Sequence, residues 1–174
     1  FVNSLDTERI DILIQSMKNT LTITTASPAE TITLGRKIAK WLNPGDIICL
    51  SGNLGSGKTT LAKGIAKGLN IDPVKVNSPT FVIMNAYEGR LPLYHFDLYR
   101  LNKMQEMGVI GYDEFLYGEG VSLIEWGERL EKLFPKEFLN VKIVQSGELE
   151  REFCFEAVGK KYKAMVDQIG GIKR

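Results

Sequence analysis

Residues 47–60 read IICLSGNLGSGKTT, and the reading of this stretch decides the fold. The apolar run Ile47, Ile48, Cys49 and Leu50 has the composition of a short buried strand. From Gly52 to Thr59 the string fits G-x-x-x-x-G-K-[ST] at every position, the phosphate-binding P-loop pattern. The chemistry needs these residue types. Gly52, Gly55 and Gly57 permit positive φ, so the loop through Asn53, Leu54 and Ser56 can turn several N–H groups onto one anion. The helix that follows adds the positive end of its dipole. Lys58 is expected to reach the β/γ-phosphates, and the Thr59 hydroxyl, followed by Thr60, to ligate Mg²⁺. A glycine-rich strand-to-helix turn without a ligand is the alternative. The complete pattern favours a nucleotide, as do Leu61, Ile65, Ala66 and Leu69 at helical spacing behind it.

Outward from the loop, 174 residues suggest one P-loop domain over 21–174. Residues 1–20 form a helical extension in which Ile10, Leu13, Ile14 and Met17 recur at helical spacing. A formal net charge of +1 gives no sign of a protein that coats nucleic acid, although it leaves room for a local basic patch. No apolar run has membrane-spanning length and no signal-peptide pattern is visible, so a cytoplasmic protein with no membrane partner is expected. Cys49 and Cys154 are the only cysteines, and each lies in a strand-like run. Both are expected as buried free thiols. A single histidine excludes an imidazole-based metal cluster.

Leu21–Thr25 is rich in β-formers, and Ser27-Pro28-Ala29-Glu30 is a capping box with proline at the first helical position. The helix it starts carries Leu34, Ile38, Ala39 and Leu42 on one face and stops before Asn43-Pro44-Gly45. Its cap is read as structural, while the loop at Ser27 is a candidate lining for a base pocket. Residues 81–87 and 91–98 read as a hairpin around Glu88-Gly89-Arg90. Short helices are expected near Gln105 and Glu114, a strand over Val121–Glu125, and a helix through Leu130 and Leu133 that ends before Pro135. Strands near Val141–Val144 and Phe153–Ala157 and a helix carrying Tyr162, Met165, Val166 and Ile169 complete the chain. The fold class is α/β, P-loop NTPase-like, with a mixed sheet (parallel strands plus an antiparallel hairpin) flanked by helices.

P-loop enzymes hold Mg²⁺ through the loop hydroxyl and an acid at the end of a neighbouring apolar strand. Asp97 closes Leu93–Phe96, 39 positions after Lys58, and Glu125 closes Val121–Ile124. Asp97 is assigned the Mg²⁺-linked role. Glu125 is assigned either a second metal-shell place or the orienting of an attacking water, with Glu128 a weaker candidate. An ordinary solvated strand end is the alternative for each. His95 shares a strand face with Asp97 and reads as a packed or hydrogen-bonded core residue. Thr80, in Ser78-Pro79-Thr80, is either a switch hydroxyl or part of a proline turn. Trp126 either stacks on a base or partner or plugs the core, and the residues alone favour the core.

Guanine recognition by N-K-x-D is absent, since Asn102-Lys103-Met104-Gln105 lacks the aspartate, and Asp97-Leu98-Tyr99-Arg100 departs from D-x-x-G. ATP is therefore favoured over GTP. A small-molecule kinase is the runner-up, weakened because Asp97–Gly120 offers only Arg100 and Lys103 to a phosphate lid. A nucleotide-gated binding module is the third reading. No internal arginine finger is evident, so weak, partner-stimulated turnover is expected.

GNLGSGKTT, NSPTF, YHFDLYRL and LIEWGERL, in this order and at these distances, together resemble the TsaE (YjeE) family of bacterial P-loop ATPases over roughly Leu21–Ala157. The resemblance implies a part in forming N6-threonylcarbamoyladenosine next to the anticodon of tRNA. It implies docking on the TsaB–TsaD heterodimer, whose TsaD subunit makes the transfer, with ATP hydrolysis resetting that complex and tRNA met indirectly or at the complex. By the same resemblance Lys58 holds phosphate, Thr59 holds Mg²⁺, Asp97 and Glu125 are the metal and hydrolysis acids, and Thr80 is switch-like. Trp126 gains a functional role, and Ser27 and Arg151 become nucleotide contacts. Gly127 stands where family members often have proline, which loosens that turn.

Overall fold

The computed structural model describes residues 20–78, 83–100, 111–133 and 135–171. The expected helix over 5–19, the short helix near Gln105 and the switch residue Thr80 lie outside the described residues.

The strand forecast at Leu21–Thr25 is β1, Thr20–Thr25, and the capped helix is α1, Pro28–Ile38, continued by a 3-10 turn over Ala39–Trp41. Ser27 accepts a hydrogen bond from the Glu30 amide at 3.2 Å, while the Glu30 carboxylate reaches back to the Ala26 amide at 2.8 Å. The P-loop joins β2, Ile47–Ser51, to α2, Lys58–Gly68. The hairpin is β3, Met84–Tyr87, paired antiparallel with β4, Leu93–Asp97. There follow α3 (Tyr112–Leu116), β5 (Val121–Glu125), a 3-10 helix (Gly127–Leu133), β6 (Phe138–Gln145), β7 (Arg151–Val158) and α4 (Lys163–Gly170).

The strands form one seven-stranded sheet in the order β1-β7-β6-β2-β5-β4-β3. The four central strands, β6, β2, β5 and β4, are mutually parallel. Antiparallel pairing occurs at both ends: the forecast β3–β4 hairpin at one, and β6–β7–β1 at the other. The β6–β7 pairing follows from the short turn 146–150, closed by Ser146 N–H to the Glu150 carbonyl at 3.2 Å, which has no room for a crossover helix.

β2 explains why the P-loop strand is apolar throughout. Ile48 and Leu50 join one core cluster, with Leu61 and Ile65 of α2, Leu34 and Ile38 of α1, and Met165 and Ile169 of α4. Ile47 and Cys49 point to the other, with Phe96, Tyr112, Ile124 and Leu130. A central parallel strand covered on both faces needs a continuous apolar run, and each such side chain contributes about 1.5–3 kcal/mol by its burial.

Two expectations are corrected. The segment after Glu125 is a 3-10 helix: Gly127 is a poor helix starter, and Pro135 follows too closely for α-helical turns to accumulate. Cys154 is half-buried on β7, because alternate β7 residues face away from the core, whereas Cys49 is buried and burial pushes its thiol pKa up. Among the described residues no helix is long and apolar enough to cross a membrane.

Candidate functional site

The loop conformation is the one its glycines permit. Gly52, Gly55 and Gly57 have φ of 142°, 77° and 107°. A Cβ on Gly52 would lie 2.4 Å from the Ile143 carbonyl oxygen, so β6 presses the loop from behind and no other residue fits there. Within the curl, Ser56 is buried and its Oγ has no partner among the described residues. Leu54 stands at the tip, 78% exposed.

Lys58 opens α2 at the edge of this curl and is only 5% exposed. Its Nζ donates to the Gly52 carbonyl at 2.7 Å and to the Asn53 carbonyl at 3.0 Å, tying the loop across its mouth. The same ammonium lies 3.8 Å from the centre of the Trp126 ring, a cation–π contact. Burial lowers the Lys58 pKa from its ordinary value, and the carboxylates of Glu125, Glu128 and Asp97 oppose that shift.

The two acids stand side by side because the sheet puts them there. Leu50, the penultimate residue of the P-loop strand, is the register partner of Glu125, and Glu125 is the partner of Asp97. The Glu125 carboxylate, 2% exposed, is held at both ends: Thr59 Oγ1 donates to Oε2 at 3.1 Å, and His95 Nε2 donates to Oε1 at 2.9 Å. Asp97 Oδ1 accepts from the Tyr99 amide at 2.9 Å, and Oδ2 accepts from Ser78 Oγ. Glu128, one 3-10 step past Glu125, is exposed and acts on Lys58 through charge alone.

Trp126 takes φ of 61°, a left-handed conformation rare outside glycine, and its amide donates to the Leu50 carbonyl at 2.9 Å. That turn aims the ring at Lys58 on one side and Tyr99 on the other, 5.0 Å between ring centres, while Arg129 covers Tyr99 at 5.6 Å. The ring also packs against the second core cluster, so the core reading and the site reading both describe it.

On the other side of the loop, an open cleft is lined by Pro28, Thr31, Gly55, Gly57, Thr60, Leu149 and Arg151. Arg151 Nη2 donates to the Gly55 carbonyl at 3.3 Å, and Nη1 to the Glu150 carbonyl at 2.9 Å. Ser27 sits one residue behind this lining, its hydroxyl engaged in the α1 cap. The loop at Ser27 therefore borders the cleft through Pro28 and Thr31.

Sequence reasoning did not assign a place to Ser78, Tyr99 or Arg129, and it read His95 as core. His95 is fully buried, as read, but its partner is Glu125. The available signal was its place two residues before Asp97 on a strand adjoining β5.

This fold and loop define a nucleotide-binding P-loop α/β protein. The family model described as "Threonylcarbamoyl adenosine biosynthesis protein TsaE" matches residues 25–153, and the chain belongs to this family. Among its relatives, the tRNA threonylcarbamoyladenosine biosynthesis protein TsaE of Bacillus subtilis is 43% identical over 146 residues, covering 83% of this chain and 90% of the relative. The protein of the same description in Treponema pallidum is 39% identical over 117 residues, covering 67% and 86%. Among solved structures, Bacillus subtilis YdiB aligns with a TM-score of 0.75 at 37% identity, covering 89% of this chain and 97% of that one.

Proposed function

We propose that this chain is a Mg²⁺-dependent ATPase subunit for threonylcarbamoyladenosine modification of tRNA, acting on a TsaB–TsaD complex in the cytoplasm. The observation that carries the reading is Glu125, a buried carboxylate joined to the Thr59 hydroxyl, with Asp97 beside it in register and Lys58 closing the glycine loop. A single domain over 21–174 and a helical extension over 1–20 belong to the same proposal, with the boundary moved so that Thr20, the first residue of β1, falls in the domain.

The residues present fit a nucleotide with Mg²⁺. The positive-φ glycines make a cradle that a Cβ would fill, and the orphaned Ser56 hydroxyl points to an acceptor supplied from outside the protein. The candidate ligands are hard oxygens: Thr59 Oγ1, Asp97 and Glu125. Among the described residues no group of three or more His, Cys, Asp or Glu could hold a metal alone. That suits Mg²⁺, which binds through one or two carboxylates together with substrate phosphates. When bound, Mg²⁺ would neutralise phosphate oxygens and hold them in line for transfer to water.

The chain's own residues then divide the work. Main-chain amides from Gly52 to Thr60, including those of Asn53, Leu54, Gly55, Ser56 and Gly57, bind phosphate, and Lys58 adds a cation to it. Glu125, fixed by His95, orients the attacking water or shares the metal, and Asp97 secures the metal side. Arg151 and the cleft beside α1 take the base, Trp126 backs the lysine, and Thr80 serves as the switch hydroxyl.

Phosphate release by purified protein, alone and with TsaB–TsaD, tests this. Lys58→Ala is expected to abolish release, and the partner complex is expected to raise wild-type turnover. Wild-type turnover in Lys58→Ala would refute the mechanism. A phosphorylated metabolite formed without free phosphate would make the protein a kinase instead.

A further inference from the structure

Helices α1 and α2 lie side by side on one face of the sheet and run in the same direction, since their close contacts climb both together. A side chain at Gly64 would meet the Ile32 carbonyl oxygen at 2.5 Å, and one at Gly68 would meet that of Arg36 at 2.8 Å. With Leu34, Ile38, Leu61 and Ile65 turned to the core, the outward residues are Arg36, Lys37 and Lys40 from α1 and the turn after it, and Lys63 and Lys67 from α2. The tight glycine seam places these cations in two adjacent rows.

All five are exposed or half-buried, and among the described residues none makes an ion pair or a side-chain hydrogen bond. Among the described residues no acid forms an ion pair with any of them, although Glu88 lies in the turn that packs on Leu69 at the end of α2. Glu30 is held at the start of α1, Asp46 is buried against Lys161, and Asp72 caps the turn past α2 through the Val74 amide. In a chain of net charge +1, this is segregation of charge onto one face. Arg36, Lys37 and Lys67 sit in the last turns of their helices, where they also offset the dipole, but Lys63 is mid-helix and gains nothing there.

We propose that the outer face of α1 and α2 docks the phosphate backbone of a folded RNA. A protein partner is disfavoured because specific protein interfaces are built on apolar centres and are depleted in lysine. None of the exposed large apolar residues (Leu54, Val74, Tyr99, Tyr117, Val144, Leu149) lies on either helix. A phosphate backbone asks only for fixed, unpaired cations. The choice of RNA over DNA rests on membership of a tRNA-modification family, and nothing in the proposal rests on ATP hydrolysis.

The test is fluorescence anisotropy with a labelled RNA hairpin and a DNA hairpin of the same sequence, with ADP and Mg²⁺ saturating so that the phosphate loop does not compete. Wild-type affinity for RNA should fall roughly a hundredfold between about 50 and 200 mM salt. Combining Lys40→Ala, Lys63→Ala and Lys67→Ala should weaken it about tenfold or more at the lower salt and flatten the log–log salt slope by about one per lysine. Thermal melting confirms that the triple variant folds. The triple variant should keep wild-type ADP affinity by calorimetry, which separates failure of this proposal from failure of the ATPase reading. Equal RNA affinity in wild type and triple variant overturns the proposal, as does absence of wild-type binding at the lower salt. Tighter binding to DNA than to RNA overturns it, and so does a variant that keeps RNA but loses TsaB–TsaD.

Discussion

His95 is fully buried, and its Nε2 spends its proton on a carboxylate whose second oxygen receives the Thr59 hydroxyl. A carboxylate gripped from both ends cannot rotate, and on the metal role proposed for Glu125 a partner of this kind is worth about 10–100-fold in activity or metal affinity. His95→Gln, whose amide nitrogen reaches where Nε2 does, is expected to retain most phosphate release. His95→Leu is expected to lose about 10–100-fold, with Mg²⁺-free nucleotide affinity unchanged by calorimetry. Equal losses in the two variants would reduce His95 to packing. Trp126 is the second instructive residue. Removing its ring takes a desolvated cation–π contact from Lys58, so Trp126→Ala should weaken nucleotide binding by about 1–2 kcal/mol, read as a shift in Kd. At this scale the sequence was partly legible. The P-loop announces itself by pattern, and the two acids by closing apolar strands that the sheet sets beside the P-loop strand. The bonds His95 makes, and the positive φ that turns Trp126 under Lys58, depend on strand adjacency, which no local pattern records.

Among the elements, α1 was the most legible because its start is written in side chains: Ser27 as cap, Pro28 at the first turn, Glu30 reaching back. Ser27→Ala should cost about 1 kcal/mol in denaturant unfolding and leave nucleotide affinity nearly unchanged, since the cleft wall is formed by Pro28 and Thr31. The seam between α1 and α2 was not legible, because a glycine within a helix looks like a weakness until its neighbour is seen. At Gly64 a methyl group would overlap backbone 2.5 Å away, so Gly64→Ala should separate the helices and lower stability by about 1–3 kcal/mol, measured by the midpoint of unfolding. The 3-10 helix after Trp126 was misread for a related reason. Leu130 and Leu133 carry helical spacing, but spacing of this kind does not distinguish an α-helix from a tighter coil in a segment bounded by Gly127 and a nearby proline.

Across the whole molecule, the mixed character of the sheet was readable from one hairpin, while the β6–β7–β1 edge was not, since register and strand order are set by long-range pairing. Two stretches distant in the chain meet at that level. Tyr162 accepts the Ile47 amide at 2.7 Å, and the adjacent Lys161 pairs with Asp46 at 2.9 Å, so the segment leading into α4 anchors the start of the P-loop strand. Burial raises the Tyr162 pKa above its ordinary value of 10.0, so the unfolded chain loses that proton first. The stability contributed is complete below about pH 10 and declines as pH rises beyond it. Alkaline titration followed by circular dichroism should show this loss, and Tyr162→Phe should shallow it while costing about 1–3 kcal/mol for the stranded Ile47 amide.

The registers of Leu50 with Glu125 and of Glu125 with Asp97 carry one more consequence. Adjacent strands lie about 4.8 Å apart by backbone hydrogen bonding, so the spacing between the two main-chain positions that carry the acids is a dimension of the sheet and no side chain can retune it. On the proposed Mg²⁺ role the two acids form a fixed gauge: Asp97→Glu, which keeps the charge but lengthens the arm by one methylene, is expected to fail, as is Asp97→Asn, when Mg²⁺-dependent phosphate release is measured. Recovery of activity by evolution or design would have to come from shortening the opposing arm at Glu125, because the gauge itself is built from main chain.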